Sequence, residues 1–174
     1  MVKISGAAPR SPVGRLGAQE VVSEMTADLA TLDAETAIRR LYATYTDAAN
    51  RNDYVRATTV YAADARLAVM GAPDIVGREA IGEALRQTFQ TYAMIHQVAH
   101  TILVDIDGDR ATGRVSIYEM NFREGETGLS MFFGSYDDEL VKSAEGWRFS
   151  RRSLNVKART MIETSRLKLI PTPP

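Results

Sequence analysis

The chain has 174 residues, of which 45% are hydrophobic and 25% charged, with a net charge of -1 and no cysteine. That length suits one domain with a genuine core, since two halves would each be small for a core of their own. Scattered basic residues in a nearly neutral chain exclude the electrostatic footprint of a nucleic-acid binder, and the lack of Cys excludes disulfides, thiolate catalysis and thiolate metal sites.

Residues 1–17 are rich in Gly, Pro, Ala and Ser and read as an irregular arm without the apolar run of a secretory signal. Val21, Val22, Met25, Leu29 and Leu32 recur at helical spacing, so a short amphipathic helix precedes the main domain, placed to cover the cavity mouth or a partner subunit. Asp33 or Thr31 can cap the next helix, whose apolar stripe is Ile38, Leu41, Tyr42, Tyr45 and Ala49. The polar stretch Asn50 to Asp53 ends it. A short helix from Tyr54 to Tyr61 follows, then a strand from Arg66 to Met70, a turn at Gly71 to Asp74, a strand stub at Ile75-Val76, and a third helix carrying Ile81, Leu85 and Phe89.

After Tyr92 the apolar period changes to two. Strands are expected at Ile95 to Ile106, Ala111 to Phe122, Leu129 to Lys142 and Trp147 to Met161. Helices followed by a four-strand meander define an α+β class. Gly113 and Gly134 offer bends or bulges that curl the antiparallel sheet into a cone around the N-terminal helices and enclose a cavity. The expected organisation is an arm and short helix over 1–30, the folded domain over 31–165 and an extended Pro-rich tail over 166–174. No run reaches the length that spans a bilayer, so a cytoplasmic protein is expected, with no membrane partner.

Only two histidines exist, both on one strand. Counting by twos, His96, Val98, His100, Ile102, Val104 and Ile106 share a face, which the apolar residues make the inward one, with Gln97, Thr101 and Asp105 opposite. Two strand histidines four residues apart stand too far from each other to chelate one ion, so no metal site is expected. An inward imidazole serves as a general acid or base, or as a core histidine bonded to a neighbour. Tyr42 and Tyr45 lie on the buried stripe of the first long helix, Asp47 points away as a solvated charge, and Asn50 stands at the helix end as a cap or a pocket residue. Glu119 alternates with Val115 and Ile117, which turns it inward as a catalytic group or as the ion-pair partner of Arg152 or Arg114. Trp147 and Phe149 are assigned to the outer face of the sheet, where a partner subunit would cover them. Neither a phosphate loop nor a nucleophile elbow is present, so no cofactor is expected.

Several strings resemble the SnoaL-like branch of the nuclear transport factor 2-like superfamily: Ala37 to Tyr42, Asn50 to Tyr54, Tyr61 to Ala65, Val76 to Ile81, the His96 strand with Asp107 to Ala111, and Gly146 to Phe149. Within it the chain is similar to the group of scytalone dehydratase and hexachlorocyclohexane dehydrochlorinase. That resemblance implies a cofactor-free lyase, dehydratase or isomerase acting on a small apolar or aromatic molecule. It implies His96 as the proton-transfer residue, Asn50 in the place of the family's orienting aspartate, and Tyr45 and Arg152 as pocket groups for substrate oxygens. His100, Tyr42, Leu67, Met94, Glu119 and Phe133 complete the expected binding site. The alternative from the same resemblance is a non-catalytic ligand-binding or assembly subunit, as in dioxygenase β subunits. A homodimer or higher homo-oligomer is expected under either reading.

Overall fold

A computed structural model describes residues 17–163. The expected arm up to residue 16, and the tail from residue 166, lie outside the described residues. The elements run α1 (Ala18–Asn50), α2 (Tyr54–Thr58), β1 (Tyr61–Val69), β2 (Ile75–Val76), α3 (Arg78–Thr91), β3 (Met94–Asp107), β4 (Arg110–Phe122), β5 (Gly128–Ser143) and β6 (Gly146–Glu163).

Where two helices were expected around Thr31 and Asp33, α1 is continuous for 33 residues. Instead of capping a new helix, the Thr31 hydroxyl donates to the Ala27 carbonyl one turn back, at 3.0 Å, which keeps it inside the helix. The two halves of α1 have different surroundings. Val22, Met25, Leu29 and Leu32 are each 58–61% exposed and cover no part of their own domain, whereas Ala34, Ile38, Tyr42, Tyr45, Ala48 and Ala49 are buried. The helix stops where Asn52 turns left-handed (φ 53°) and its amide donates to the Tyr92 carbonyl at 3.0 Å. The next helix is shorter than expected, ending at Thr58. The Thr58 and Thr59 hydroxyls bond back to the Tyr54 and Arg56 carbonyls, and β-branched Thr58, Thr59 and Val60 lead into β1, which begins at Tyr61 rather than Arg66.

The six strands form one open sheet in the order β2-β1-β6-β5-β4-β3. It is mixed rather than purely antiparallel, because β1 pairs parallel to β6. Four register shifts curve it, the first between Tyr61 and Arg66 where β1 meets β6. Another lies between His100 and Ile102 in β3, where Thr101 takes φ 54° and becomes the extra residue. Two more set β6 against β5, at Phe133/Gly134 and Glu139/Leu140. Gly134 therefore stands at a bulge, as expected. Gly113 does not: its pairing is regular, and its missing side chain leaves the space taken by the Tyr42 hydroxyl.

The core lies between α1, α3 and the inner sheet face, and it includes Trp147 (4% exposed) and Phe149 (0%). Their assignment to the outer face is corrected, since the shift beside Leu140 pairs Leu140 with Phe149 and Lys142 with Trp147 and turns both rings inward. At the centre Arg152 is wholly buried, bonds Asp138 through two nitrogens at 3.0 Å each, and stacks on Phe149 at 3.8 Å, Tyr136 at 4.2 Å and Tyr45 at 4.6 Å. Burial raises the Asp138 carboxyl even against the pull of Arg152, while Arg152, desolvated as it is, stays firmly protonated beside Asp138.

Candidate active site

A cavity of about 230 Å³ opens between α1, α3 and the wide end of the sheet. Its walls are Tyr45 and Ala49 of α1, Leu67 and Val69 of β1, and Leu85, Thr88 and Phe89 of α3, with Tyr92 and Ile95 beside them. The sheet contributes Gln97, Glu119, Asn121, Phe132, Tyr136, Leu154 and Arg159. The space suits a compact molecule of one or two rings, being smaller than the usual pockets for drug-sized ligands.

Most of the wall is apolar, and its polar groups converge on one carboxylate. Gln97 and Glu119 are register partners on β3 and β4, and Glu119 and Asn121 are two apart on one strand face, so all three side chains meet. The Gln97 amide donates to Glu119 Oε2 at 2.6 Å and to the Tyr136 hydroxyl at 3.1 Å, and the Asn121 amide donates to Glu119 Oε1 at 2.8 Å. Two donors orient the carboxylate as an acceptor. Burial raises its pKa above the ordinary 4.5, against the opposing pull of both amides and of Arg159. Gln97 Oε1 and Asn121 Oδ1 are buried with no hydrogen-bond partner among the described residues. Burial also pushes the Tyr45 and Tyr136 hydroxyls upward, so both are neutral O–H groups at neutral pH.

The histidines stand elsewhere. Before the Thr101 bulge the inward residues of β3 are Ile95 (4% exposed) and Gln97 (2%), while His96 and His100 are exposed on the outer face. Beyond it, Ile102, Val104 and Ile106 pack against the core. One inserted residue thus reverses the alternation, and carrying the face of Ile102 back to His96 gives the wrong side for both imidazoles. Among the described residues His100 bonds its neighbour alone, Nδ1 to Thr101 Oγ1 at 3.1 Å.

Asn50 does reach β3, but through the main chain: its amide donates to the Gln97 carbonyl at 3.0 Å and its carbonyl accepts from the Gln97 N–H at 2.6 Å. It positions Gln97 rather than an imidazole. Of the expected binding residues, Tyr45, Leu67 and Glu119 line the cavity. Arg152 and Tyr42 belong to the central aromatic and ionic core. Phe133 is 46% exposed on the outer face, and Met94 shares the strand face of His96. Arg152 pairs with Asp138 and Arg114 with Asp137, so neither is the partner of Glu119. Asp47 is a surface charge as expected, bonded to Arg51 and Arg56. Sequence reasoning missed Gln97, Asn121 and Arg159. The available signal was polar residues at period two, Glu119 and Asn121, continuing the buried face of Ala111, Val115 and Ile117.

The SnoaL-like domain family model matches residues 30–153. An uncharacterized protein of Mycobacterium tuberculosis is 25% identical over 134 residues, spanning 76% of this chain and 91% of that protein. Two solved structures share the fold. One, provisionally assigned as a scytalone dehydratase from Novosphingobium aromaticivorans, has a TM-score of 0.70 at 21% identity, covering 75% of this chain and 88% of that one. The other, a type 3 hexachlorocyclohexane dehydrochlorinase from Novosphingobium barchaimii, has a TM-score of 0.73 at 16% identity, covering 83% and 99%.

Proposed function

Because the chain belongs to the SnoaL-like domain family, a family of small-molecule-processing proteins, we propose that it is a cofactor-independent lyase or isomerase for a small apolar or aromatic molecule, with Glu119 moving the proton. The observation that carries this reading is a carboxylate inside an apolar cavity, held by two amide donors and raised in pKa by burial. A base of that kind is desolvated yet still an acceptor, which favours taking a proton from carbon when the conjugate charge is stabilised nearby. Tyr136 and Tyr45 offer neutral hydroxyls for an oxyanion that develops on the substrate, and Arg159 supplies a cation at the cavity wall. Gln97 Oε1 and Asn121 Oδ1 are acceptors for substrate hydroxyl or N–H groups. Similarity of fold to the dehydratase and the dehydrochlorinase supports the lyase class.

The test begins with native mass spectrometry of the protein from its source, to identify a co-purifying small molecule. That molecule is then incubated with enzyme in deuterated water. Expected are deuterium incorporation or elimination with wild-type protein, near-complete loss with Glu119→Gln, and an unchanged rate with His96→Ala. A rate retained by Glu119→Gln would remove the carboxylate from the mechanism. Tight binding with neither exchange nor elimination would identify a carrier instead.

A further inference from the structure

At the opposite end of the cone a second groove, of about 550 Å³, lies between α1, the residues just before β1 and the start of β6. Along β6 the order is Trp147 and Arg148 at this groove, then Phe149 and Arg152 in the core, then Leu154 and Arg159 in the cavity described above. The core layer of Tyr42, Phe149 and Arg152 therefore separates the two spaces. No function stated so far uses this groove.

Its chemistry is donor-rich. Trp147 is 4% exposed and its indole N–H has no hydrogen-bond partner among the described residues, and the Nε of Arg148 is likewise buried and without a hydrogen bond among them. Leaving a buried donor unpaired costs about 1–3 kcal/mol, so two on one groove call for an acceptor. Glu145 does not serve as one. Its carboxylate is bonded by Arg78 at 2.9 Å and lies 3.9 Å from the Arg148 Nε, outside hydrogen-bond reach. Arg40 stands on the helical side with Thr36 and Thr44 one turn to either side of it, and makes no ion pair among the described residues. Arg40, Arg148 and the neighbouring Arg78 are set against Asp33 and the Glu145 carboxylate that Arg78 and Arg148 share, which leaves a single positive charge to be matched. Between these groups Leu41 and Val60 present an apolar floor.

We propose that this groove is a second small-molecule site for a compact organic carboxylate. Its oxyanion is held by the Trp147 indole and the Arg40 and Arg148 guanidiniums, and its apolar body rests on Leu41 and Val60. The single negative charge and the apolar floor favour a monocarboxylate over phosphate. Arg40 and Arg148 are long, flexible side chains, and their shift admits the ligand to the sequestered indole N–H.

Trp147 is the one tryptophan of the chain, so a single indole resonance in a proton–nitrogen correlation spectrum reports this site. The full chain is titrated in parallel with benzoate, with benzyl alcohol as the neutral analogue, and with inorganic phosphate. Benzoate is expected to move the indole proton downfield with saturation, benzyl alcohol to leave it unsaturated, and phosphate to bind at least about tenfold more weakly than benzoate. Arg40→Gln is expected to weaken benzoate about tenfold, as for the loss of one charge-assisted hydrogen bond, and Glu119→Gln, in the other cavity, to leave the titration unchanged. The proposal is overturned by the absence of a saturable shift with benzoate, by equal titration with benzyl alcohol or phosphate, or by an Arg40→Gln protein that binds like wild type.

Discussion

Replacing Asp138 with Asn keeps the shape of the side chain and removes the one carboxylate among the described residues that bonds Arg152. In wild-type protein Arg152 is 0% exposed and donates two bonds to that carboxylate at 3.0 Å. Breaking a buried pair on one side costs about 3–5 kcal/mol, because the surviving charge stays desolvated. The stacked faces of Phe149 and Tyr136, at 3.8 and 4.2 Å, retain part of the stabilisation of the cation, about 1–2 kcal/mol. The Asn carbonyl also accepts one bond, so the lower end of the range, about 3 kcal/mol, is expected. For a chain of this size that corresponds to a fall in Tm of roughly 6–12 °C. Urea unfolding followed by the buried Trp147 measures it, and the double variant Asp138→Leu/Arg152→Met is measured beside it. Removing both charges restores a well-packed apolar pair, expected within about 1.5 kcal/mol of wild type. A loss below about 1 kcal/mol for Asp138→Asn, or a double variant no more stable than the single, would refute the account of an ion pair stabilised against its own desolvation.

Three other outcomes follow from the geometry. Gly113→Ala places a methyl group against the Tyr42 hydroxyl and should cost about 1–3 kcal/mol in thermal unfolding; adding Tyr42→Phe removes the colliding oxygen and should recover most of it. Asn50→Asp should destabilise by about 1–2 kcal/mol, since a carboxylate accepts from the Gln97 N–H but cannot donate to the Gln97 carbonyl; calorimetry showing a gain in stability would contradict this. Glu119 binds its proton more tightly when folded than when unfolded, so its contribution is fully present below the ordinary pKa of 4.5 and is lost as pH rises through the raised folded value. Glu119→Gln should therefore gain on wild type in chemical unfolding as pH climbs across that window, and a constant difference would count against it.

Most helices and strands were legible because their apolar residues keep one period over much of their length. The stripe of Ile38, Tyr42, Tyr45 and Ala49 specifies one face of α1, and the alternation from Ala111 to Ile117 specifies one face of β4. Faces became illegible where an extra residue interrupts the period. Thr101 leaves no mark in composition, yet it places Ile95 and Ile102 on the same side although they differ in parity. The histidines were misplaced for that reason, and Trp147 and Phe149 because the shifts in β6 are equally silent. Arg152 illustrates a different limit. An arginine in a strand facing aromatic side chains reads alike as a pocket cation or a core ion pair, and only the register that sets it opposite Asp138 distinguishes them.

The parallel pairing of β1 with β6 has a consequence for how the chain assembles. Leu67 lies beside Arg152, roughly 85 residues later, and β6 occupies the place between β1 and β5 in the sheet. As the ribosome delivers the chain, β1 has only the two-residue β2 beside it until β6 has emerged. The meander from β3 to β6 closes through short-range hairpins and α1 can dock on β3 early, through the Asn50–Gln97 bonds, whereas pairing of β1 into the sheet awaits β6. Completion of the cavity, whose walls come from both parts, is then one of the final events of folding.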